Sequence, residues 1–249
     1  MAAERARLRL FVEAPLAAGR TVDIAPAQAH YVVNVMRRRE GESLLLFNGR
    51  DGEWRAELDA ARRGRRCTAT VVEPTRPQAP EPDLWLMFAP VKRAPIDLIA
   101  RGATELGVSA LWPVLTRRTA MSRVNLARLR ANATEAAEQC GRLTVPECFA
   151  PTPLAEALAD WPPERRLLVC DESGAGAPVA RALTAGTADA TAPWAVLTGP
   201  EGGLAAAELA ALATVPGVAR VSLGPRTLRA ETAALAALAC WQALVGDWR

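Results

Sequence analysis

The chain has almost no lysine and almost no histidine: its 249 residues contain one of each, Lys92 and His30. A single histidine excludes sites that need two imidazoles, such as a His-rich metal centre or the H-E-x-x-H helix of zinc proteases. The single lysine does not lie in a G-x-x-x-x-G-K-[ST] sequence, which excludes P-loop hydrolysis of ATP or GTP. We therefore expect a protein that needs no metal ion.

Cysteines and long apolar runs are also scarce. The five cysteines are scattered and form no C-x-x-C pair, so neither a disulfide framework nor a structural zinc site is expected. The longest stretch without a charge, residues 232–246, has 15 residues, fewer than the roughly 20 that a membrane-spanning helix needs. The basic start of the chain is not followed by the apolar run of a signal peptide. We expect a cytoplasmic protein that does not bind membranes.

Positive charge is supplied almost entirely by arginine and is unevenly placed. Residues 1–76 carry a net charge of +4 and the remainder −1, while residues 106–134 contain five arginines and no acid. A guanidinium pairs bidentately with phosphate and stacks on bases, whereas a merely solvated face usually mixes both signs. We therefore predict that both basic regions contact RNA or other phosphate groups, although charge alone does not exclude DNA.

The N-terminal part is typical of a small β-barrel or sheet. Short strand-like runs are separated by turns such as Asn48-Gly49. Between the first two runs, residues 27–41 show apolar side chains at helical spacing and end in Gly41, which predicts a helix. His30 lies at its predicted start, where it is either half-buried or capping, with RNA contact as the alternative.

A proline-rich segment divides the chain. Residues 73–83 hold four prolines and three acids, a composition expected to continue neither helix nor strand. We place a linker at residues 74–83, between a domain at residues 1–73 and another at residues 84–249. In the second domain, strand-like runs alternate with helical ones, which predicts an α/β domain with a mostly parallel sheet.

Two glycine-bearing loops near the C-terminus follow predicted strands. Ligands of open α/β sheets bind beyond the carboxyl ends of the strands. The first loop, residues 197–203, reads LTGPEGG, and its glycines let a ligand approach the main chain. The second, residues 223–232, reads LGPRTLRAET and leads into the last helix. Neither matches G-x-G-x-x-G, so a conventional dinucleotide site is not expected; an ordinary strand-to-helix turn is the alternative for each.

Five segments together resemble one family over nearly the whole chain, in the same order: HYVVNVMRRREG, FNGRDGEW, EAAEQCGR, LTGPEGGL and LGPRTLRAETAALAA. They are similar to the RsmE family, whose members are S-adenosyl-L-methionine (SAM)-dependent methyltransferases that modify N3 of a uridine in 16S ribosomal RNA. The resemblance implies a SPOUT-type α/β domain with a C-terminal trefoil knot and helices on both faces of its sheet. It also implies a PUA-like N-terminal β-barrel, a homodimer, and 16S rRNA or the small ribosomal subunit as partner.

The resemblance also implies which residues form the cofactor site. The cofactor contacts are expected at Leu197, Thr198, Gly199, Pro200, Glu201, Gly202, Leu223, Gly224, Leu228, Thr232 and Ala233. Backbone groups can read a neutral purine edge, and small residues leave room for the ligand.

Methyl transfer to N3 needs a base for its proton and a cation for the charge that spreads onto O2 and O4. We predict that Arg229 or Arg226 stabilises this charge and that Glu201 or Glu231 accepts the proton. Glu231 has an alternative role as a cap of the last helix.

RNA contacts are predicted from the basic regions and the resemblance, at Arg9, His30, Arg37, Arg38, Lys92, Arg117, Arg118 and Arg142. Two other functions stay open: a knotted methyltransferase acting on another rRNA or tRNA nucleotide, and a non-catalytic RNA-binding factor for ribosome assembly.

Overall fold

The structure is a computed structural model that describes residues 8–60, 67–91, 93–185 and 189–248. Contacts divide the chain into two units. The first comprises Met1–Pro80 and Ala137–Val145, and the second comprises Glu81–Ala136 and Pro146–Arg249. The linker boundaries drawn from the proline-rich segment remain predictions.

The described residues of the first unit form five strands, which are β1 (Arg9–Phe11), β2 (Thr21–Ile24), β3 (Ser43–Phe47), β4 (Glu53–Ala60) and β5 (Cys67–Arg76). Their order in the sheet is β1-β3-β4-β5-β2. Strand β1 runs parallel to β3, and the other neighbours are antiparallel.

One apolar core holds this sheet together. Side chains alternate between buried and more exposed along β2 and the first half of β5, as expected where one face of a strand is covered. The core contains residues of all five strands, including Leu10 of β1 and Val22 of β2 at opposite ends of the sheet order. Since both outer strands share one core with the middle strands, the sheet curls around it, as expected for a PUA-like domain.

The helix predicted at residues 27–41 is shorter and less regular than expected. Helix α1 (Pro26–His30) is followed by a π-helical turn, Tyr31–Val35, and regular structure ends there. Three valines in this run lower helix propensity because β-branched side chains lose rotamers against the preceding turn. His30 therefore ends α1 instead of starting it, and it is exposed instead of half-buried.

The expectation that residues 73–83 carry no strand was wrong for residues 73–76. Strand β5 continues to Arg76, and Pro74 stands opposite Trp54 on β4. The pairing is irregular on both sides of Trp54, and proline is tolerated at such irregularities because a ladder hydrogen bond is already missing there.

In the part of the second unit that the structure describes there are eight strands, which are β6 (Leu84–Phe88), β7 (Ala110–Leu115), β8 (Glu147–Cys148), β9 (Thr152–Pro153), β10 (Arg166–Cys170), β11 (Ala177–Pro178), β12 (Trp194–Thr198) and β13 (Val218–Ser222). Its helices are α2 (Arg93–Glu105), α3 (Leu126–Cys140, whose last residues belong to the first unit), α4 (Leu154–Ala159), α5 (Val179–Thr184), α6 (Ala206–Leu212) and α7 (Ala230–Leu244).

The mostly parallel sheet predicted for this unit is confirmed. Its order is β11-β13-β10-β12-β6-β7-β8, with β9 beside β7, and every pair is parallel. All five residues of β12 are buried, as expected of a parallel strand covered on both faces. Ala195 packs in a core with residues of α4 and α6, while the neighbouring Trp194 contacts Trp241 of α7. Successive side chains of a strand point to opposite faces, so helices cover both.

The described helices include none that is long and apolar enough to cross a membrane. The trefoil knot remains an implication of the resemblance.

Within the first unit, the end of α3 is held by Arg9. The guanidinium donates to the carbonyl oxygens of Ala137, Glu138 and Arg142 at 2.8, 2.9 and 2.6 Å. A cation at a helix C-terminus satisfies carbonyls that have no partner in the helix and complements the dipole. Arg9 also donates to the carboxylate of Glu53 at 2.7 Å.

Glu53 is the buried acid of this network. Its carboxylate also accepts hydrogen bonds from Arg76 at 2.7 and 3.0 Å and from Thr75 at 3.0 Å. Burial raises the pKa of Glu53, but the hydrogen bonds from Arg76, Arg9 and Thr75 outweigh burial and hold the pKa below its ordinary value of 4.5.

We expect acid to weaken the first unit through Glu53. A carboxyl whose pKa is lowered by folding stabilises the folded state above its unfolded pKa, and this contribution is lost as pH falls through the folded pKa. Replacing Glu53→Gln should cost about 2–3 kcal/mol near neutral pH, because two arginines lose their acceptor. The loss should shrink below about pH 4. Denaturant unfolding at several pH values measures both effects.

Glu57→Gln is the matched control, since Glu57 is exposed and pairs with Arg55 on the surface. It should change stability by less than about 1 kcal/mol. Equal, pH-independent losses for the two variants would contradict the assignment.

Candidate active site

The parallel sheet brings the two predicted loops to the same edge. Strands β12 and β13 lie on either side of β10, and strand spacing puts their ends roughly 10 Å apart. The glycine loop, residues 199–203, follows β12, and the C-terminal loop, residues 223–229, follows β13. Both therefore stand beyond the carboxyl end of β10, where ligands of such sheets bind.

The glycine loop is a tight turn on a buried strand. Leu197 and Thr198 are buried, and the carbonyl oxygen of Thr198 accepts the N–H of Ala89 at 3.0 Å. The loop closes through a 2.8 Å hydrogen bond from the N–H of Gly203 to the carbonyl oxygen of Pro200. Since the side chains of residues 197 and 198 face the interior, they leave only main-chain groups near a ligand.

A carboxylate is bonded at the start of helix α6. The helix has seven residues, and Glu208 lies in its first turn. One oxygen of this carboxylate accepts the N–H of Ala205 at 2.8 Å, and the other accepts the N–H of Arg117 at 2.8 Å. The carboxylate therefore satisfies the N–H of the N-cap residue Ala205 and ties the start of α6 to the segment after β7.

A second carboxylate, from Glu172, packs against the glycine loop. Gly203 has φ +69°, and a Cβ atom there would lie 1.5 Å from Oε1 of Glu172. The positive φ favours glycine at this position, and the carboxylate that lies against it is the end of an exposed side chain. Neither Glu172 nor Glu208 was predicted from the sequence. Glu172 was detectable because it follows directly on Asp171 at the carboxyl end of β10.

Arg118 contacts the glycine loop from the other side. Its Nη1 donates to the carbonyl oxygen of Gly202 at 2.5 Å. Arg117 and Arg118 follow β7, so the segment predicted to bind RNA adjoins the loop predicted to bind the cofactor. Their side chains are exposed.

The C-terminal loop is more open. Gly224 has φ +106°, and a Cβ atom there would meet nothing within 4 Å. Leu223 and Leu228 are half-buried, whereas Arg226 is exposed. The loop ends at Arg229, the N-cap residue of α7, and no side chain caps this helix. Thr232 and Ala233 follow in its first turn.

The four predicted catalytic side chains have no structural partner within the described part of the chain: Arg226, Arg229, Glu201 and Glu231. Each is exposed except Glu231, which is half-buried in the first turn of α7. They remain available to a ligand at this edge, and the capping alternative for Glu231 finds no hydrogen bond to support it.

Two other groups at the carboxyl end of β10 are poor catalysts. Burial raises the pKa of the Asp171 carboxyl, but hydrogen bonds from Ser173 and Arg220 outweigh it and lower the pKa overall. Asp171 is thus a buried ionised partner of Arg220 on β13. Burial raises the pKa of Cys170 to about 12, which disfavours a thiolate nucleophile. No metal-binding cluster of His, Cys, Asp or Glu occurs among the described residues.

The RNA-binding candidates of the first unit differ in availability. Arg9 is 11% exposed and is engaged at the end of α3. His30 and Arg37 are exposed, and Arg37 has φ +53°, a backbone conformation unusual outside glycine. Arg38 donates to Glu42 at 3.1 Å, and Arg142 donates to Thr144 at 3.0 Å. Lys92 lies outside the described residues.

Comparison with known proteins agrees with this arrangement. Residues 78–242 match the family described as "RNA methyltransferase domain", and residues 24–72 match "RNA methyltransferase PUA domain". The chain is 35% identical over 229 residues to ribosomal RNA small subunit methyltransferase E of Synechocystis, covering 90% of this chain and 74% of that protein. The chain belongs to the ribosomal RNA small subunit methyltransferase E family.

Other members of the methyltransferase E family extend the match. The Bacillus subtilis protein is 28% identical, and the match covers 88% of this chain and 88% of that protein. A crystal structure of the Neisseria gonorrhoeae member, bound to S-adenosyl methionine, superposes with a TM-score of 0.85 at 28% identity, over 98% of this chain and 100% of that one.

We expect Gly203→Ala to destabilise the second unit more than a glycine substitution with equal backbone strain. Gly174 is the control, because it has φ +77° but open space around its Cβ position. Gly174→Ala should cost about 1 kcal/mol from strain alone. Gly203→Ala should cost slightly more, by roughly 0.5 kcal/mol, because the methyl group makes the exposed carboxylate of Glu172 move aside.

Thermal and denaturant unfolding measures both variants. The unmodified protein, Gly203→Ala, Glu172→Ala and the combination of the two substitutions form a double-mutant cycle. Removing the carboxylate of Glu172 should restore part of the stability that Gly203→Ala loses. A Gly203→Ala variant no less stable than Gly174→Ala would be inconsistent with the packed carboxylate.

Proposed function

We propose that this chain is a SAM-dependent methyltransferase that methylates N3 of a specific uridine in 16S ribosomal RNA of the small subunit. The observation that carries the proposal is the pair of loops flanking the end of β10, in a chain whose relatives carry the name ribosomal RNA small subunit methyltransferase E. Family membership supports rRNA methylation, and the choice of N3 rests on the resemblance together with the chemistry of the exposed side chains.

The two loops have the properties that SAM binding requires. The related Neisseria gonorrhoeae protein was crystallised with this cofactor. In this chain, Gly202 and Gly224 are exposed. Arg118 occupies the carbonyl oxygen of Gly202, and Ser222 Oγ accepts the N–H of Gly224, which leaves the N–H of Gly202 and the C=O of Gly224 for a ligand. Open space at Gly224 leaves room for a ligand between the loops. We assign the cofactor to the main chain of both loops, with Ala233 as a small neighbour in α7.

When bound, SAM supplies an already activated methyl group. The protein then has to align the uridine and help remove the proton on N3. Arg229, at the end of the C-terminal loop, stabilises the negative charge that develops on O2 and O4, with Arg226 as the alternative. Glu201 or Glu231 accepts the N3 proton, directly or through water, because both carboxylates are free of other partners among the described residues.

The basic segments hold the RNA. Exposed arginines pair with phosphates, and the target uridine leaves its helix so that N3 becomes reachable. His30 and Arg37 in the first unit and Arg117 in the second are the exposed candidates for these contacts. We also propose a homodimer, which the family resemblance implies.

Replacing Arg229→Ala should slow methyl transfer at least tenfold, which corresponds to about 1.4 kcal/mol of lost transition-state stabilisation. The Kd for SAM, measured by calorimetry, should stay within about twofold, because the guanidinium acts on the uracil. Single-turnover rates with saturating RNA measure the effect, and Arg229→Lys should recover part of the rate. A rate equal to that of the unmodified protein would remove Arg229 from the mechanism.

The product identifies the function. Purified protein with labelled SAM and either free 16S rRNA or unmodified small subunits should yield N3-methyluridine by nucleoside mass spectrometry. A different modified nucleoside would support a knotted methyltransferase with another target. Absence of SAM binding in calorimetry would leave the non-catalytic RNA-binding factor.

A further inference from the structure

We propose that Arg118 positions the glycine loop for the cofactor and is not an RNA contact. The inference rests on the proposed SAM site. It reassigns a side chain that charge alone had placed with the RNA-binding residues.

The contact between Arg118 and the loop has a polar and an apolar part. Nη1 donates to the carbonyl oxygen of Gly202 at 2.5 Å. A Cβ atom at residue 202 would lie 3.4 Å from Cδ of Arg118 and 3.6 Å from its Cβ, so the aliphatic stem runs along the glycine. A charged donor on a carbonyl oxygen makes a stronger hydrogen bond than a neutral one. The arginine therefore restrains both the direction and the position of this peptide.

The sheet order explains why a long side chain is needed. The glycine loop follows β12, Arg118 follows β7, and β6 lies between these strands. The separation across two strand spacings is roughly 10 Å. Arg118 spans this gap, and the hydrogen bond from the N–H of Arg117 to Glu208 joins the same two segments at the start of α6.

The glycine loop is thus held from both sides by side chains of opposite charge. Arg118 binds Gly202 from the β7 side, and Glu172 packs against the next residue, Gly203, from the β10 side. Residues 202 and 203 share one peptide group, so the two contacts together restrict its rotation. A peptide that reads a ligand through its main chain works best when its orientation is set before binding.

Hydrogen exchange tests the positioning without any ligand. In the full-length protein free of SAM and RNA, Arg118→Ala should exchange the amides of residues 199–205 several-fold faster than the unmodified protein. Arg118→Lys, which keeps the charge and one donor, should give a smaller increase. Arg181→Ala removes an exposed arginine on α5 and should leave these amides unchanged. Unchanged exchange in Arg118→Ala would overturn the inference.

Binding measurements then distinguish whether Arg118 supports SAM binding or contacts RNA. Arg118→Ala should weaken SAM binding about tenfold, as expected for one lost hydrogen bond from a charged group. Its affinity for 16S rRNA without SAM should stay within about twofold, and Arg118→Lys should recover part of the SAM affinity. Weakened RNA binding with unchanged SAM affinity would show that Arg118 contacts RNA, and would overturn the inference.

The two proposals fail differently. If the unmodified protein bound no SAM, the proposed function would fall, while faster exchange in Arg118→Ala would still show that the arginine holds the loop. If SAM bound equally well to both proteins, only the inference about Arg118 would fail.

Discussion

The parallel direction of all strands in the second unit is the constraint on which the candidate site depends. Parallel strands end at one edge, so loops far apart in sequence meet there. The glycine loop and the C-terminal loop come together because β12 and β13 both neighbour β10. An antiparallel β13 would send residues 223–229 to the opposite edge and leave the glycine loop without its counterpart.

Charged side chains serve two different purposes around this edge. Some make contacts that stabilise the fold. Asp171 pairs with Arg220, and Glu208 joins the start of α6 to the segment after β7. Others, such as Arg229 and Glu201, have no such partner in the described part of the chain. The distinction matters because a side chain that is already bonded must break that contact before it can act on a substrate, whereas a free one is available at once.

The same distinction changes how the basic segments are understood. Arg9 and Arg118 belong to regions of positive charge, yet one binds the end of a helix and the other a loop carbonyl. Carbonyl oxygens at a helix end and in a tight turn attract guanidinium groups just as phosphates do. Net charge along the sequence counts such arginines together with those that face solvent, such as Arg37 and Arg117.

The alternation of strands and helices, the parallel sheet and the two glycine-bearing loops could all be predicted from the sequence, because hydrophobic periodicity and glycine placement are local properties. The passage of β5 through Pro74 could not, since it depends on pairing with β4. The early end of the helix after His30 was missed because apolar spacing alone does not weigh the three valines that follow. Family motifs pointed to residues 197–203 and 223–232, but not to Glu172 or Glu208, whose roles arise from strand order. Sequence alone determined which residues are candidates for the chemistry. Only the tertiary structure decided which of them have a hydrogen-bond partner among the described residues, because folding brings together groups that are distant along the chain.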